Sequence, residues 1–258
     1  MWQERDDCHG VHEYWRVRPP SVAGRVVTML VTIHQPNYLP WAGFFHKWLI
    51  SDAFIILDTV QYHKNEWQNR NRIKTANGAQ WLTVPVSYRL PQTIQEVGIA
   101  SPGWARKQVS AIEQAYARAP YLNDYWPELR EVLSKPWGRV AELNIAVIRL
   151  LGEVLGCRAP LYLASEMKTV STNPTGRLVS LCKELGGDAY LSGREGRGYL
   201  EADSFSEAKI ELWFQEVEAS HYPQLHGSFI SHLSVIDMLF NLGPATPEII
   251  LQMGDKRQ

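Results

Sequence analysis

Residues 32–48 read "TIHQPNYLPWAGFFHKW", and here an apolar run enters a dense polar and aromatic turn. The run Val26–Ile33 predicts a β-strand, and Trp41–Ile50 predicts a helix. A second strand is predicted at Ala53–Leu57 and ends at Asp58. Neither strand alternates apolar with polar residues, which is typical of a parallel sheet covered by helices on both faces. These segments therefore predict a Rossmann-like β–α–β unit.

The rest of the chain continues this alternation of strands and helices. The pair Asn77-Gly78, flanked by apolar residues, predicts a β-hairpin. Three successive helices are predicted between residues 104 and 156, at Trp104–Arg118, Tyr121–Leu133 and Val140–Leu155. Later strands and helices are predicted at Leu161–Ala164, 172–185, Ala189–Leu191, Ile210–Phe214 and Leu233–Asn241. The predicted fold class is α/β, a mostly parallel sheet with flanking helices, a β-hairpin and a helical lobe.

The composition favours a globular cytoplasmic protein. The chain has 258 residues and a formal net charge of −1, which argues against nucleic acid as a partner. Its three cysteines lack CxxC spacing and its eight histidines form no metal-binding motif, so we expect neither disulfides nor a metal site. Residues 1–28 predict a flexible extension, followed by one α/β domain over 29–258. Because Val26–Ile33 is too short to span a bilayer, no membrane insertion is expected.

The turn after the first strand is the first candidate site. A right-handed crossover would place residues 35–38 at the carboxyl edge of the sheet, where ligands bind in open α/β sheets. The free N–H groups at the start of the helix would face an anion there, and Gly43 would let it approach the backbone. His34 is the catalytic candidate, with binding assigned to Gln35, Asn37 and Tyr38. The alternative is a packed turn with a buried histidine.

A second candidate site is "DTVQYHKNEWQNRNRIK", residues 58–74. In an extended segment, Arg70, Arg72 and Lys74 share one face, where each guanidinium offers a bidentate fork to phosphate or carboxylate. The alternative is an exposed edge strand protected by its charges. Asparagines are poor strand formers, however, and this favours binding. The binding candidates in this segment are Lys64, Trp67, Asn69, Arg70, Asn71 and Arg72.

Two further segments carry candidates. In "YLSGREGRGYL", residues 190–200, glycines after a strand predict a loop whose backbone N–H groups bind an anion, and the alternative is a simple turn. The candidates in this loop are Ser192, Gly193, Gly196 and Tyr199. In "HYPQLHGSFISHLSVIDMLFNLG", residues 221–243, His226 is a loop histidine suited to proton transfer near neutral pH. Asp237 lies near the apolar stripe of the same segment and would need a partner if buried.

Together, "HQPNYLPWAGFFHKW", "DTVQYHKNEWQNRNRIK", "YLSGREGRGYL" and "YPQLHGSFISHLSVIDMLFNLG" resemble the WbqC-like protein family, in the family's order from about Ile33 to Gly243. The resemblance implies a protein encoded among bacterial surface-polysaccharide genes that transfers an aminoacyl group, with glycine as the suggested group, onto an amino sugar. Two departures stand out. Thr59 follows Asp58 where members often have a second acidic residue, and Arg194-Glu195 replaces small residues or proline in the glycine loop.

Residues and resemblance combine into one hypothesis. Amide formation from a free amino acid needs an activated carboxyl, so ATP is a candidate co-substrate, and the expected ligand is a nucleotide or nucleotide sugar. Either Asp58 or His226 would accept the proton of the amine. Two alternatives stay open, namely nucleotidyl transfer to a sugar phosphate and a binding scaffold without catalysis. The sequence specifies neither the oligomeric state nor a cofactor.

Overall fold

The computed structural model describes residues 29–168, 171 and 173–254, and its strands form three sheets. The strands are β1 (Leu30–His34), β2 (Ala53–Ile56), β3 (Arg70–Thr75), β4 (Gly78–Thr83), β5 (Val86–Ser87), β6 (Gly98–Ile99), β7 (Leu161–Leu163), β8 (Ala189–Ser192) and β9 (Glu211–Phe214). Five of them form a parallel sheet in the order β7-β2-β1-β8-β9. The antiparallel pairs β3–β4 and β5–β6 complete the set.

Helices cover the parallel sheet and form a second layer beside the hairpin. They are α1 (Ala42–Ile50), α2 (Trp104–Tyr116), α3 (Leu122–Ser134), α4 (Val140–Val154), α5 (Pro174–Glu184), α6 (Ala202–Glu207), α7 (Val235–Leu242) and α8 (Thr246–Gln252). Side chains of α1, β2, α2, α3, α4 and α7 belong to one hydrophobic cluster. The α/β fold with its hairpin and helical segment is therefore the predicted one.

The differences from the predicted elements are local. The first strand begins at Leu30, and its predicted start at Val26, like the predicted extension over 1–28, lies outside the described residues. The short strands β5 and β6 and the helices α6 and α8 were not predicted. Their segments are too short to show a clear period of apolar residues, since β5 and β6 bury no side chain, α6 buries one and α8 buries two.

The loop between β9 and α7 contains neither helix nor strand, and buried polar contacts fix it in place. Lys74 donates from Nζ to the Ser228 carbonyl oxygen at 2.6 Å. Asp237, which is fully buried, accepts hydrogen bonds from Tyr116 and Tyr222, each at 2.8 Å. These two phenols are the partners that a buried Asp237 was expected to need. Burial still raises the pKa of Asp237, although both hydrogen bonds oppose the shift.

Candidate functional site

A cleft of about 570 Å³ opens at the carboxyl end of the parallel strands. It is lined by residues at the ends of β1, β2 and β8, by one side chain of α1, by the segment 60–68 and by the first turn of α5. Its volume falls in the range of about 300–1,000 Å³ that is usual for small-molecule sites. The cleft is therefore large enough for a nucleotide-sized ligand.

The cleft lies where the strand order reverses. Strand β1 is followed along the chain by β2, which lies on one side of β1. Strand β8 lies on the other side of β1 and is followed by β9, which is further out on that side. The two connections diverge and leave a crevice above β1 and β8. Ligands of open α/β sheets bind in this position.

His34 ends β1 and lines this cleft. Its Nδ1 lies 2.9 Å from the Gln35 carbonyl oxygen, which can only accept, so Nδ1 carries the proton and Nε2 keeps a free lone pair. Burial, with a contribution from the Lys47 charge, lowers the pKa of His34 from 6.5 to about 3, against the opposing effect of the Gln35 hydrogen bond. The imidazole is therefore neutral at neutral pH and presents a hydrogen-bond acceptor.

Lys47 projects from α1 into the same cleft. It is 3% exposed, and burial lowers its pKa from 10.5 to about 7. Within residues 29–168, 171 and 173–254, its Nζ forms no hydrogen bond or ion pair. Helix α1 is buried from Ala42 to Leu49 and has no solvent-facing side onto which the ammonium could turn. An unpaired positive group therefore lies at the bottom of the cleft.

The first turn of α5 forms another wall. The Asn173 side chain caps the helix by accepting from the Gly176 backbone N–H at 2.9 Å, and Pro174 occupies the first turn. Arg177 lines the cleft in the same turn, which contains no acidic residue. Its guanidinium adds to the positive end of the helix dipole.

Two aromatic side chains stand at the cleft and are open to solvent. Trp67 is 39% exposed and Tyr199 is 62% exposed, and both line the cavity. Trp67 also lies beside Trp81, with ring centroids 5.6 Å apart. Exposed rings of this kind stack against the flat face of a sugar or a base.

Several predicted site residues meet in this cleft. From the first candidate segment these are His34, Gln35 and Asn37, and Trp67 comes from the second. The third segment supplies the remainder, Ser192, Gly193, Gly196 and Tyr199. Gln35 is held in position because Gln68 donates to its Oε1 at 2.7 Å.

Other predicted residues support the turn after β1 from behind. Tyr38 is fully buried and donates its hydroxyl proton to Gln108 Oε1 at 2.6 Å. Asn71 donates to the carbonyl oxygen of Leu39 at 2.7 Å. Leu39 has a φ of 42°, which is unfavourable for a branched side chain. Asn69 donates to the Val84 carbonyl oxygen at 2.9 Å, in the connection after the hairpin. These contacts account for asparagines in and beside a strand, and their role in ligand binding stays a prediction.

The arginine row lies on the exposed face of the hairpin. The Arg70 guanidinium is 4.4 Å from the centroid of the Trp81 ring and donates to the Asn65 carbonyl oxygen, while the Arg72 guanidinium is 5.7 Å from the same ring. Neither arginine lines the cleft, and nor does Lys64, which is exposed. Their binding role stays a prediction.

Three further candidates are engaged elsewhere. Asp58 accepts from the backbone N–H and the hydroxyl of Ser165, at 3.0 and 2.6 Å. His226 has a φ of 64°, and its Nε2 lies 2.7 Å from the Ala115 carbonyl oxygen. A Cβ at Gly43 would overlap the indole of Trp41, so this glycine makes room for that ring. None of these three residues lines the cleft.

Sequence reasoning missed Lys47 and Arg177. A signal for Lys47 was present, because the helix has apolar residues on every side apart from His46 and Lys47, and a helix of this kind is buried together with its only lysine. Arg177 had a weaker signal, as a basic residue in the first turn of a helix that begins with Asn173-Pro174.

Two features typical of other classes of protein are absent from the described residues. No helix there has both the length and the apolar character that crossing a membrane requires. Within that part of the chain, no group of three or more His, Cys, Asp or Glu side chains could hold a metal ion.

Comparison with known proteins places the chain in a family. The sequence model described as "WbqC-like protein family" matches residues 35–249, which include most of the cleft and the buried polar network. The chain is also 34% identical over 224 residues to "Uncharacterized protein Rv1507c" of Mycobacterium tuberculosis, a match that covers 85% of this chain and 96% of that protein. No solved structure matches the chain.

Proposed function

Because this chain belongs to the WbqC-like protein family, we propose that it is a transferase of bacterial surface-polysaccharide synthesis, which forms an amide by moving an aminoacyl group onto an amino sugar. One observation carries the proposal: a nucleotide-sized cleft at the reversal of strand order contains a neutral histidine with a free lone pair. The proposed acceptor is a nucleotide amino sugar, with its sugar or base stacked against Trp67 or Tyr199.

The proposed chemistry depends on an uncharged amine. The amine nitrogen attacks the acyl carbon, a C–N bond forms, the bond to the leaving group breaks, and one proton is released. His34 Nε2 accepts a hydrogen bond from the attacking amine and directs its lone pair toward the acyl carbon. Since the pKa of His34 is about 3, its imidazole positions the amine by accepting a hydrogen bond, and the proton that the amine loses goes to solvent water.

ATP is the proposed activating co-substrate. The balanced reaction is then amino acid, ATP and amino sugar giving the amide, AMP and pyrophosphate. Of the three residues predicted to be catalytic, His34 lies in the cleft, whereas Asp58 and His226, the predicted proton acceptors, are bonded outside it. We therefore assign the contact with the amine to His34.

The test is product formation measured by mass spectrometry. The protein is incubated with ATP, a mixture of amino acids that includes glycine, and UDP-linked amino sugars, and the mass of the amide is sought. We expect His34→Gln to lower the rate by about 10²-fold and His221→Gln, an exposed histidine outside the cleft, to leave it unchanged. Pyrophosphate release that depends on a sugar phosphate instead of an amino acid would replace this proposal with nucleotidyl transfer.

A further inference from the structure

Lys47 carries a positive charge at the bottom of the cleft, and neither of the two glutamates that line the cleft, Glu66 and Glu195, forms an ion pair with it in the described part of the chain. Lys47 is 3% exposed, and no carboxylate or carbonyl group in the described part of the chain pairs with its Nζ. An ammonium kept from water without a partner is costly for the fold. Apart from His46, which contacts Gln215, α1 is packed with apolar side chains, so a methionine would fit this environment better. The lysine therefore points to an anion that enters with a ligand.

The first turn of α5 adds a second, independent positive feature. Helix α5 has eleven residues, and its N-terminal end lies at the cleft with Pro174 and Arg177. A cation in the first turn opposes the helix dipole, and an acidic residue would be the favourable choice there. The guanidinium of Arg177 makes no hydrogen bond or ion pair with the described residues. Arginine at this position is again accounted for by an anion in the cleft.

Gly193 keeps the path to Lys47 open. Its φ of −69° and ψ of 162° are accessible to any residue, so the backbone does not require glycine here. A Cβ on Gly193 would have one neighbour within 4 Å, the Lys47 Nζ at 3.9 Å. A side chain at this position would therefore stand over the ammonium and separate it from the cleft.

We propose that Lys47, the open backbone at Gly193 and Arg177 at the start of α5 form a phosphate subsite. Its occupant is the diphosphate of the nucleotide or nucleotide-sugar substrate, an identity that rests on the proposed function. Two cations and a helix N-terminus match the charge of a diphosphate better than the single charge of an amino-acid carboxylate. The ammonium of lysine acts here as a point charge for the phosphate oxygens.

The environment of Lys47 supports this assignment. Its pKa of about 7 leaves the side chain about half protonated at neutral pH. An anion next to Nζ favours the charged form and raises this pKa. Binding of a diphosphate above neutral pH is therefore coupled to protonation of Lys47, and this coupling can be measured without any turnover.

The first experiment is calorimetric titration of the whole protein with UDP and with inorganic pyrophosphate. We expect Lys47→Met and Gly193→Val each to weaken binding by about tenfold or more, the first by removing the charge and the second by covering it. Arg177→Gln is expected to weaken binding by about threefold or more. Lys183→Met, which removes an exposed lysine from the last turn of α5, is the matched control and should bind like the wild type.

The second experiment measures the titration of Lys47 in the wild-type protein, and a variant is needed only to assign the signal. Lysines are labelled with ¹³C at Cε, and the Lys47 signal is identified by its absence from Lys47→Met. Without ligand the signal should titrate near pH 7, and with saturating UDP it should stay in its protonated position to at least a pH unit higher. An unchanged Lys47 titration with UDP bound would overturn the proposal. So would a Lys47 signal that responds to glycine or acetate and ignores UDP and pyrophosphate.

The outcomes separate this subsite from the proposed function. Binding of UDP through Lys47 without formation of any amide would overturn the aminoacyl transfer and leave the phosphate subsite standing. If the wild type forms the amide but Lys47→Met binds UDP with the same affinity as the wild type, the phosphate subsite is overturned and the aminoacyl transfer stands. UDP binding that is equal in the wild type, Lys47→Met and Gly193→Val would likewise reject it.

Discussion

Lys74 and Lys47 are both buried, but their surroundings differ. Lys74 is 1% exposed, and its Nζ donates to the carbonyl oxygens of Gly227 and Ser228 at 3.2 and 2.6 Å. Lys47 is 3% exposed, faces a cleft and has no such partner among the described residues. The fold can therefore surround an ammonium with acceptors, as it does for Lys74. The isolation of Lys47 is a property of its site, and the two lysines should respond oppositely to the loss of their charge.

The largest effect is expected for Lys74→Met. This change leaves two carbonyl oxygens and the nearby Asp237 without their buried cation, so we expect the free energy of unfolding to fall by about 3 kcal/mol. Urea denaturation measures the change, with Lys183→Met as an exposed-lysine control that should stay within about 0.5 kcal/mol of the wild type. Unchanged stability would mean that the two lysines do not differ in the way described.

The change Lys47→Met tests the opposite side of the comparison through pH. The pKa of Lys47 is about 7 in the folded protein, against a reference of 10.5. Between these values the unfolded chain holds a proton that the folded chain has released, so stability rises with pH by about 1.4 kcal/mol per pH unit relative to Lys47→Met. Below pH 7 the folded protein carries the unpaired charge, and the variant should be the more stable protein. Urea denaturation of both proteins from pH 6 to 9 measures this, and parallel stability curves would contradict it.

A smaller loss of stability is expected when a hydrogen-bond donor to Asp237 is removed and no charged group is removed with it. The hydroxyl of Tyr222 donates to Asp237 at 2.8 Å, and Tyr222→Phe should lower the free energy of unfolding by about 1–2 kcal/mol. In Tyr88→Phe a hydroxyl is removed that forms no hydrogen bond with the described residues, so its stability should change by less than about 0.5 kcal/mol. Equal losses of unfolding free energy in the two variants would show that the hydrogen bond from Tyr222 to Asp237 does not stabilise the fold.

The smallest effect is expected for Arg70→Ala on ligand affinity. The Arg70 guanidinium stacks on Trp81 outside the cleft, so UDP binding should weaken by less than about threefold. The comparison is with Lys47→Met, for which a loss of about tenfold or more is expected. A larger loss in Arg70→Ala, measured by the same titration, would move the phosphate from the bottom of the cleft to the hairpin.

Local pattern was sufficient to predict the sheet edge. The run ending at Ile33, the turn at Gln35 and the glycines at Gly193 and Gly196 are all contiguous signals, and they meet because parallel strands share a carboxyl edge. The hairpin was also predicted from a local signal, the pair Asn77-Gly78. These features need little knowledge of distant packing.

Residues whose position depends on distant contacts could not be placed from the sequence. Asn71 bonds to a carbonyl oxygen 32 residues away, and His226 is directed by a left-handed backbone toward Ala115, 111 residues away. Contacts between residues so far apart produce no periodic pattern in the sequence. Lys47 was overlooked for a related reason, since its isolation appears only when every neighbouring side chain has been placed.

The register between β1 and β8 determines when the site can exist during synthesis. Leu30 pairs with Ala189, so the two walls of the cleft are supplied by segments that leave the ribosome far apart in time. A nascent chain that ends before residue 189 would contain Lys47, its helix and the first turn of α5, but it would lack β8 and the loop with Gly193 that line the rest of the cleft. Pairings across so long an interval form slowly. Until that pairing forms, the apolar edge of β1 is a surface that chaperones would have to shield.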